Sequence, residues 1–162
     1  MLLISKLESG SMPYEKQDYR LDEQIRQSLL ALETKWQVKD IEFDVELEDV
    51  RYRGYEQLLG HVWQNLIDNA VKHSPRGGRI WISLRTADDG VVFSIRDEGE
   101  GMPPEVTARA FEKFYQGDSS HRMEGNGLGL AIVKKAIDLS YGQIIVRSEP
   151  GEGTEFTVTL FD

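Results

Sequence analysis

A chain of 162 residues can bury a core of its own, and with no cysteine it does so without disulfides, thiolate metal sites or a thiol nucleophile. Its formal charge of −9 argues against a broad nucleic-acid footprint, which needs clustered Lys and Arg. The longest apolar runs, Leu2–Ile4 and Leu128–Val133, fall far short of the ~20 residues that cross a bilayer, and the start lacks the plan of a signal peptide, so no membrane contact and a cytoplasmic location are expected.

Leu2, Leu3, Ile4 and Leu7 recur at near-helical spacing and stop at Ser9-Gly10-Ser11, with Pro13 beyond. This reads as the last turn of a helix, a stub over residues 1–12 ahead of one domain over residues 13–162. Leu21, Ile25, Leu29, Leu32 and Trp36 predict a helix with one buried face. Ile41, Phe43, Val45 and Leu47 then alternate with Glu42, Asp44 and Glu46, the period of a half-buried strand.

Tyr55–Lys72 returns to helix, with an apolar stripe from Leu58 to Val71 ended by Ser74-Pro75-Arg76-Gly77-Gly78. Arg79–Thr86 and Val91–Asp97 flank Ala87-Asp88-Asp89-Gly90 and predict a hairpin with Asp-Gly at the turn. Leu128–Tyr141 predicts a buried helix capped by Gly142, and strands follow at Gln143–Ser148 and Glu155–Phe161. The pattern predicts an α+β fold, a two-layer sandwich with a mixed, mostly antiparallel sheet covered on one face by about three helices.

Three segments carry chemistry. At ~100° per residue, Asn65 and Asn69 lie about 40° apart, with Lys72 and His73 near the same stripe. A carboxamide oxygen is a neutral, hard ligand for Mg²⁺, and lysine offers a point charge to phosphate; two solvated asparagines on an amphipathic helix are the plainer reading. His61 fits the stripe too, although a lone His near a helix start is more often structural. Asp97 ends an alternating strand, and Gly99 and Gly101 let the backbone turn tightly against a ligand. A carboxylate there accepts the adenine amine and opposes the guanine carbonyl, or else simply ends a strand. Gly125, Gly127 and Gly129, running into Leu128 and Leu130, expose amides at a helix start, where peptide dipoles favour a triphosphate. No strand precedes them, which excludes a dinucleotide fold.

Together NLIDNAVKHS, DEGEGMP, GNGLGLAIVKK and GEGT resemble the N, G1, G2 and G3 boxes of the catalytic ATP-binding (Bergerat-type) domain of bacterial two-component sensor histidine kinases. FEKFYQGD at Phe111–Asp118 is similar to that family's F box, and LLISKLESG to the end of its dimerisation helix. The resemblance implies ATP and Mg²⁺ as ligands, with Asn69 and Asn65 on the metal and Lys72 and His73 on phosphate. It further implies Asp97 on adenine, Gly99, Gly101 and Met102 beside it, and Gly125, Gly127, Leu128, Gly129 and Leu130 over the phosphates. Arg122 and Lys113 match positions that supply phosphate charge, and Thr154 lies near the lid. The F box would pack under a mobile lid over Gln116–Gly125; Phe111 and Phe114 also suit plain core.

The resemblance implies phosphoryl transfer, with Asn69 and Lys72 as catalytic residues, to a His on a dimerisation domain absent from this chain. A response-regulator receiver domain would accept the group next. The fragment is expected to be a monomer and the full-length protein a homodimer, with any membrane anchor outside these residues. Related ATPases of the superfamily place a Glu where Asn65 stands, and Asn cannot take a proton from water; a missing base costs about 10²–10⁴-fold in hydrolysis. An ATP-hydrolysing clamp and a docking module that has lost its nucleotide stay open as alternatives. His61-Val62, His73-Ser74 and His121-Arg122 lack the acidic neighbour of a phosphoacceptor His.

Overall fold

The structure, a computed structural model, describes Ser5, Leu7, residues 14–112 and residues 129–162. In chain order it runs β1 (Gln17–Arg20), α1 (Leu21–Ala31), α2 (Glu33–Val38), β2 (Glu42–Leu47), β3 (Arg51–Gly54) and α3 (Glu56–His73). There follow β4 (Arg79–Ala87), β5 (Gly90–Asp97), α4 (Pro104–Thr107), α5 (Gly129–Leu139), β6 (Gln143–Ser148) and β7 (Thr154–Phe161).

Alternation along the strands makes the layers. Ile80, Ile82 and Leu84 of β4, Val91, Phe93 and Ile95 of β5, and Phe156, Val158 and Leu160 of β7 are buried on one face. The apolar stripe of α3, from Leu58 to Val71, lies in the same core with Leu21 and Ile25 of α1 and Val133, Ala136 and Ile137 of α5. At its centre the Trp63 ring lies 4.7 Å from that of Phe93. The Trp63 indole donates to Gln24 Oε1 at 2.8 Å, and Gln24 Nε2 donates to the Glu56 carbonyl at 2.6 Å, joining α1 to α3. On the outer face Trp81 packs under the Arg96 guanidinium, 4.1 Å from the ring centre.

The main sheet is ordered β2-β4-β5-β7-β6. Its pairs are antiparallel except β2 with β4, whose parallel register, Glu42 opposite Arg79 to Leu47 opposite Leu84, requires the crossover that β3 and α3 provide. The two-layer α+β architecture expected from the pattern is present. Leu7 is helical and fully buried within this same core.

Three local differences have physical causes. The helix expected from Leu21 to Trp36 breaks at Leu32: the Leu29 carbonyl accepts the Leu32 amide at 3.2 Å and the Trp36 indole at 2.9 Å, so a side chain enters the helical ladder. The second, two-stranded sheet pairs β1 with β3. It rests on a knot at Asp22, whose buried carboxylate accepts from Arg20 at 3.0 and 2.7 Å, Arg26 at 2.7 Å and the Val50 amide at 3.1 Å. These donors, Arg20 foremost, hold its pKa well below the usual carboxylate range. The left-handed cap of α5 is Tyr141, φ 56°, not Gly142. The Gly142 amide bonds the Ile137 carbonyl at 2.9 Å and the Tyr141 amide that of Asp138 at 3.1 Å, so the helix ends at Leu139, two residues earlier than expected.

Candidate nucleotide-binding site

The predicted residues are presented by α3, the end of β5 and its following loop, the start of β7 and the start of α5. Asn65 is half-buried on α3, and its Nδ2 donates to the His61 carbonyl at 2.6 Å. That bond leaves Oδ1 directed at the start of α5, where a Cβ built on Gly129 would lie 2.9 Å away. A side chain at 129 would therefore push into the carboxamide. Asn69 follows one turn later, also half-buried, and Lys72 is exposed with its ammonium 3.4 Å from Asp68. Burial lowers the pKa of His61, favouring its neutral form.

Asp97 is buried at the end of β5, in register with Thr154 of β7. Opposite residues share a face in an antiparallel pair, so the two side chains point to the helix side together. The carboxylate accepts the Gly99 amide at 2.8 Å and also that of Thr154, yet burial outweighs both and pushes its pKa up to about 6.

The loop after Asp97 is tightly built. A Cβ at Gly99 would overlap the His73 carbonyl, so this loop and the last turn of α3 are in direct contact. Gly101 takes φ +73°, and a Cβ there would overlap the Glu149 carbonyl. Glu98 turns aside to accept the Arg79 amide at 2.7 Å, and the Glu100 carbonyl accepts the Gly151 amide at 2.6 Å.

Ser148 is the residue the sequence pattern does not disclose. Its hydroxyl accepts the Met102 amide at 2.8 Å, donates to the Gly153 carbonyl at 3.0 Å and sits 2.8 Å from Thr154 Oγ1. It thereby ties the loop carrying Gly99, Gly101 and Met102 to the turn before β7. A strand-ending serine has no spacing signal, and one of its partners lies 46 residues away.

Thus α3, the Asp97 loop, Thr154 and the start of α5 meet, bringing Asn65 beside Gly129 and His73 beside Gly99. Leu130 is half-buried and packs on the main core, as does Phe111, whose ring lies 6.1 Å from that of Phe156. Arg122, Gly125, Gly127, Leu128, Lys113, Phe114 and the expected lid over Gln116–Gly125 lie outside the described residues. A shallow depression of about 280 Å³ between Asp44, Trp81 and Arg96 lies on the outer face of the same strands, opposite the face to which Asp97 and Thr154 point.

Among the described residues no group of three or more His, Cys, Asp or Glu side chains could hold a metal. A hard cation at Asn65 and Asn69 would need phosphate oxygens and water to complete its shell, which suits Mg²⁺ arriving with a nucleotide.

The family described as histidine kinase-, DNA gyrase B-, and HSP90-like ATPase matches residues 54–162. The chain belongs to that family. The solved mycobacterial sensor histidine kinase MprB is 33% identical with a TM-score of 0.78, covering 91% of this chain and 97% of that one. The heme sensor protein HssS of Staphylococcus saprophyticus is 37% identical over 160 residues, 99% of this chain and 34% of that protein. Full-length ShkA, solved in complex with AMPPNP, superposes with a TM-score of 0.83 at 27% identity, covering 99% of this chain and 35% of that one. Within the family the chain is an ATP-binding catalytic domain of the sensor histidine kinase type. It spans about a third of the length of the curated relatives it matches. No helix among the described residues is long and apolar enough to cross a membrane.

Proposed function

We propose that this domain binds Mg·ATP between α3 and the Asp97 loop and transfers the γ-phosphoryl to a histidine on a dimerisation domain outside residues 13–162. From there the group passes to the receiver domain of a response regulator. The observation that carries this reading is the contact of two half-sites: a buried carboxylate suited to the adenine amine, and a helix end bearing Lys72 and His73, joined where Gly99 meets the His73 carbonyl.

Ionised Asp97 accepts the amine and disfavours guanine, whose carbonyl would face its lone pairs. Lys72 offers charge to the phosphates, and the amides at the start of α5 add the dipole of an 11-residue helix. Asn65 and Asn69 would hold Mg²⁺, which when bound neutralises charge on the phosphate oxygens. Asn65 cannot serve as a base for water, so ATP is kept for the protein acceptor. His61 and His73 are half-buried and lie among the binding elements, which argues against either as that acceptor. The reading places residues 1–12 at the end of a dimerisation helix, the fragment as a monomer, the whole protein as a homodimer and this domain in the cytoplasm, where Mg·ATP is supplied.

Calorimetric titration with Mg·ATP is expected to show binding that Asn69→Ala and Asp97→Ala each weaken by roughly tenfold or more, the scale of a lost bond to a charged group. Labelled γ-phosphate is expected on protein only when the dimerisation helices are supplied. Unchanged affinity in both variants would overturn the site, and steady phosphate release by the isolated domain would favour a hydrolysing clamp.

A further inference from the structure

We propose that Lys39 is a positioning residue for the phosphate end of the nucleotide site, its ammonium fixing the last turn of α3 that carries Lys72 and His73. The proposal rests on the nucleotide-binding reading above. Helices end with four carbonyls that lack an intrahelical partner. In α3 the Ala70 carbonyl is served by the Ser74 amide at 3.0 Å and the Ser74 hydroxyl at 2.7 Å. The next two are served from outside the helix: Lys39 Nζ donates to the Val71 carbonyl at 2.8 Å and to the Lys72 carbonyl at 3.1 Å.

Lys39 is itself held in place. It directly follows α2, and its own carbonyl accepts the Gly77 amide at 2.7 Å. Asp40, in the left-handed region at φ 53°, pairs with Arg76 at 3.0 Å. The turn after α2 and the turn after α3 are therefore laced together, with the half-buried Lys39 stem between them.

A second lysine acts on the same turn one helical turn earlier. Lys35 pairs with Asp68 at 3.1 Å, and Asp68 also lies 3.4 Å from the Lys72 ammonium. One cation from the α2 segment thus anchors the backbone beneath Lys72, while another shares the carboxylate that engages the Lys72 side chain. Because the His73 carbonyl abuts Gly99, a shift of this turn reaches the Asp97 loop as well. Any cation near a helix C-terminus adds some general stability, so the effect must be separated from that.

The experiment is a double-mutant cycle on this chain, titrating wild type, Lys39→Met, Lys72→Met and the double variant with Mg·ATP, with thermal melting of each. Lys39→Met is expected to weaken binding about 3- to 10-fold in the wild-type background and by clearly less once Lys72 is gone, as coupled neighbours do. Lys39→Arg, which keeps donors in reach, is expected to restore affinity to within about twofold. An equal loss in both backgrounds, or a lower melting temperature with unchanged affinity, would overturn the proposal and leave Lys39 a stabilising cap. If Lys39→Met does not fold, Lys39→Gln carries the same cycle. Wild type that fails to bind Mg·ATP removes the nucleotide reading and this inference together, whereas normal wild-type binding with an indifferent Lys39→Met removes the inference alone.

Discussion

Asp22 and Asp97 are both buried carboxylates, and their surroundings drive them in opposite directions. Asp22 is held ionised by Arg20, Arg26 and the Val50 amide, so it contributes stability that is present above the ordinary Asp pKa and lost as pH falls. Asp97 is pushed up from 3.8 to about 6 by burial. The unfolded chain loses that proton first, so the contribution of Asp97 is fully present below about pH 4 and is lost as pH rises through about 6; the displacement corresponds to roughly 3 kcal/mol. Adenine recognition requires the ionised form, so nucleotide affinity runs the other way. Mg·ATP affinity is expected to fall about tenfold for each pH unit below 6 in wild type, and far less in Asp97→Asn, in titrations between pH 5 and pH 8. A flat wild-type profile would sever the link between this carboxylate and the base. Residues of this kind differ in how openly a sequence shows them. Asp97 stands out because glycines follow a strand that ends in acid, whereas Lys39 and Ser148 act on partners 32 and 46 residues away and belong to no spacing pattern.

Elements with a sustained period were legible. The eight buried apolar residues of α3 repeat at helical intervals, and the predicted helix differs from the observed one by a single residue at each end. The four-residue strands β1 and β3 were not, since four residues with charged flanks show no period to detect. The β4–β5 hairpin was legible in its strands but not in its turn: Ala87 pairs with Gly90, so Asp88-Asp89 forms the connection and the glycine lies in the strand. Tyr141 is the instructive exception at a helix end. A bulky residue at positive φ bears a backbone penalty of about 1–2 kcal/mol, and this one is 83% exposed, with little burial to offset it. Tyr141→Gly is expected to raise stability by about 0.5–1 kcal/mol in chemical or thermal unfolding, with nucleotide affinity unchanged. A destabilised variant would mean that the aromatic ring makes contacts that matter to the fold.

For the whole molecule, composition and period gave the layers, but strand order lay beyond them. The parallel pairing of β2 with β4 depends on where α3 carries the chain, and no local pattern encodes that. The place of Leu7 was likewise only half visible: helical spacing marked it, while its complete burial in the core depends on residues distant in sequence. Leu7→Ala is expected to cost about 2–5 kcal/mol in equilibrium unfolding, the range for a fully buried leucine. A loss below about 0.5 kcal/mol would show that the segment bearing Leu7 is not part of the cooperative unit. The three tryptophans occupy three environments: Trp36 bonded to the Leu29 carbonyl, Trp81 beneath an arginine on the outer face, and Trp63 sealed against Phe93 one turn before Ile67 on the asparagine helix. With phenylalanine at 36 and 81, the tryptophan emission would come from the buried indole alone, giving the domain a built-in optical gauge of what occupies its interior side.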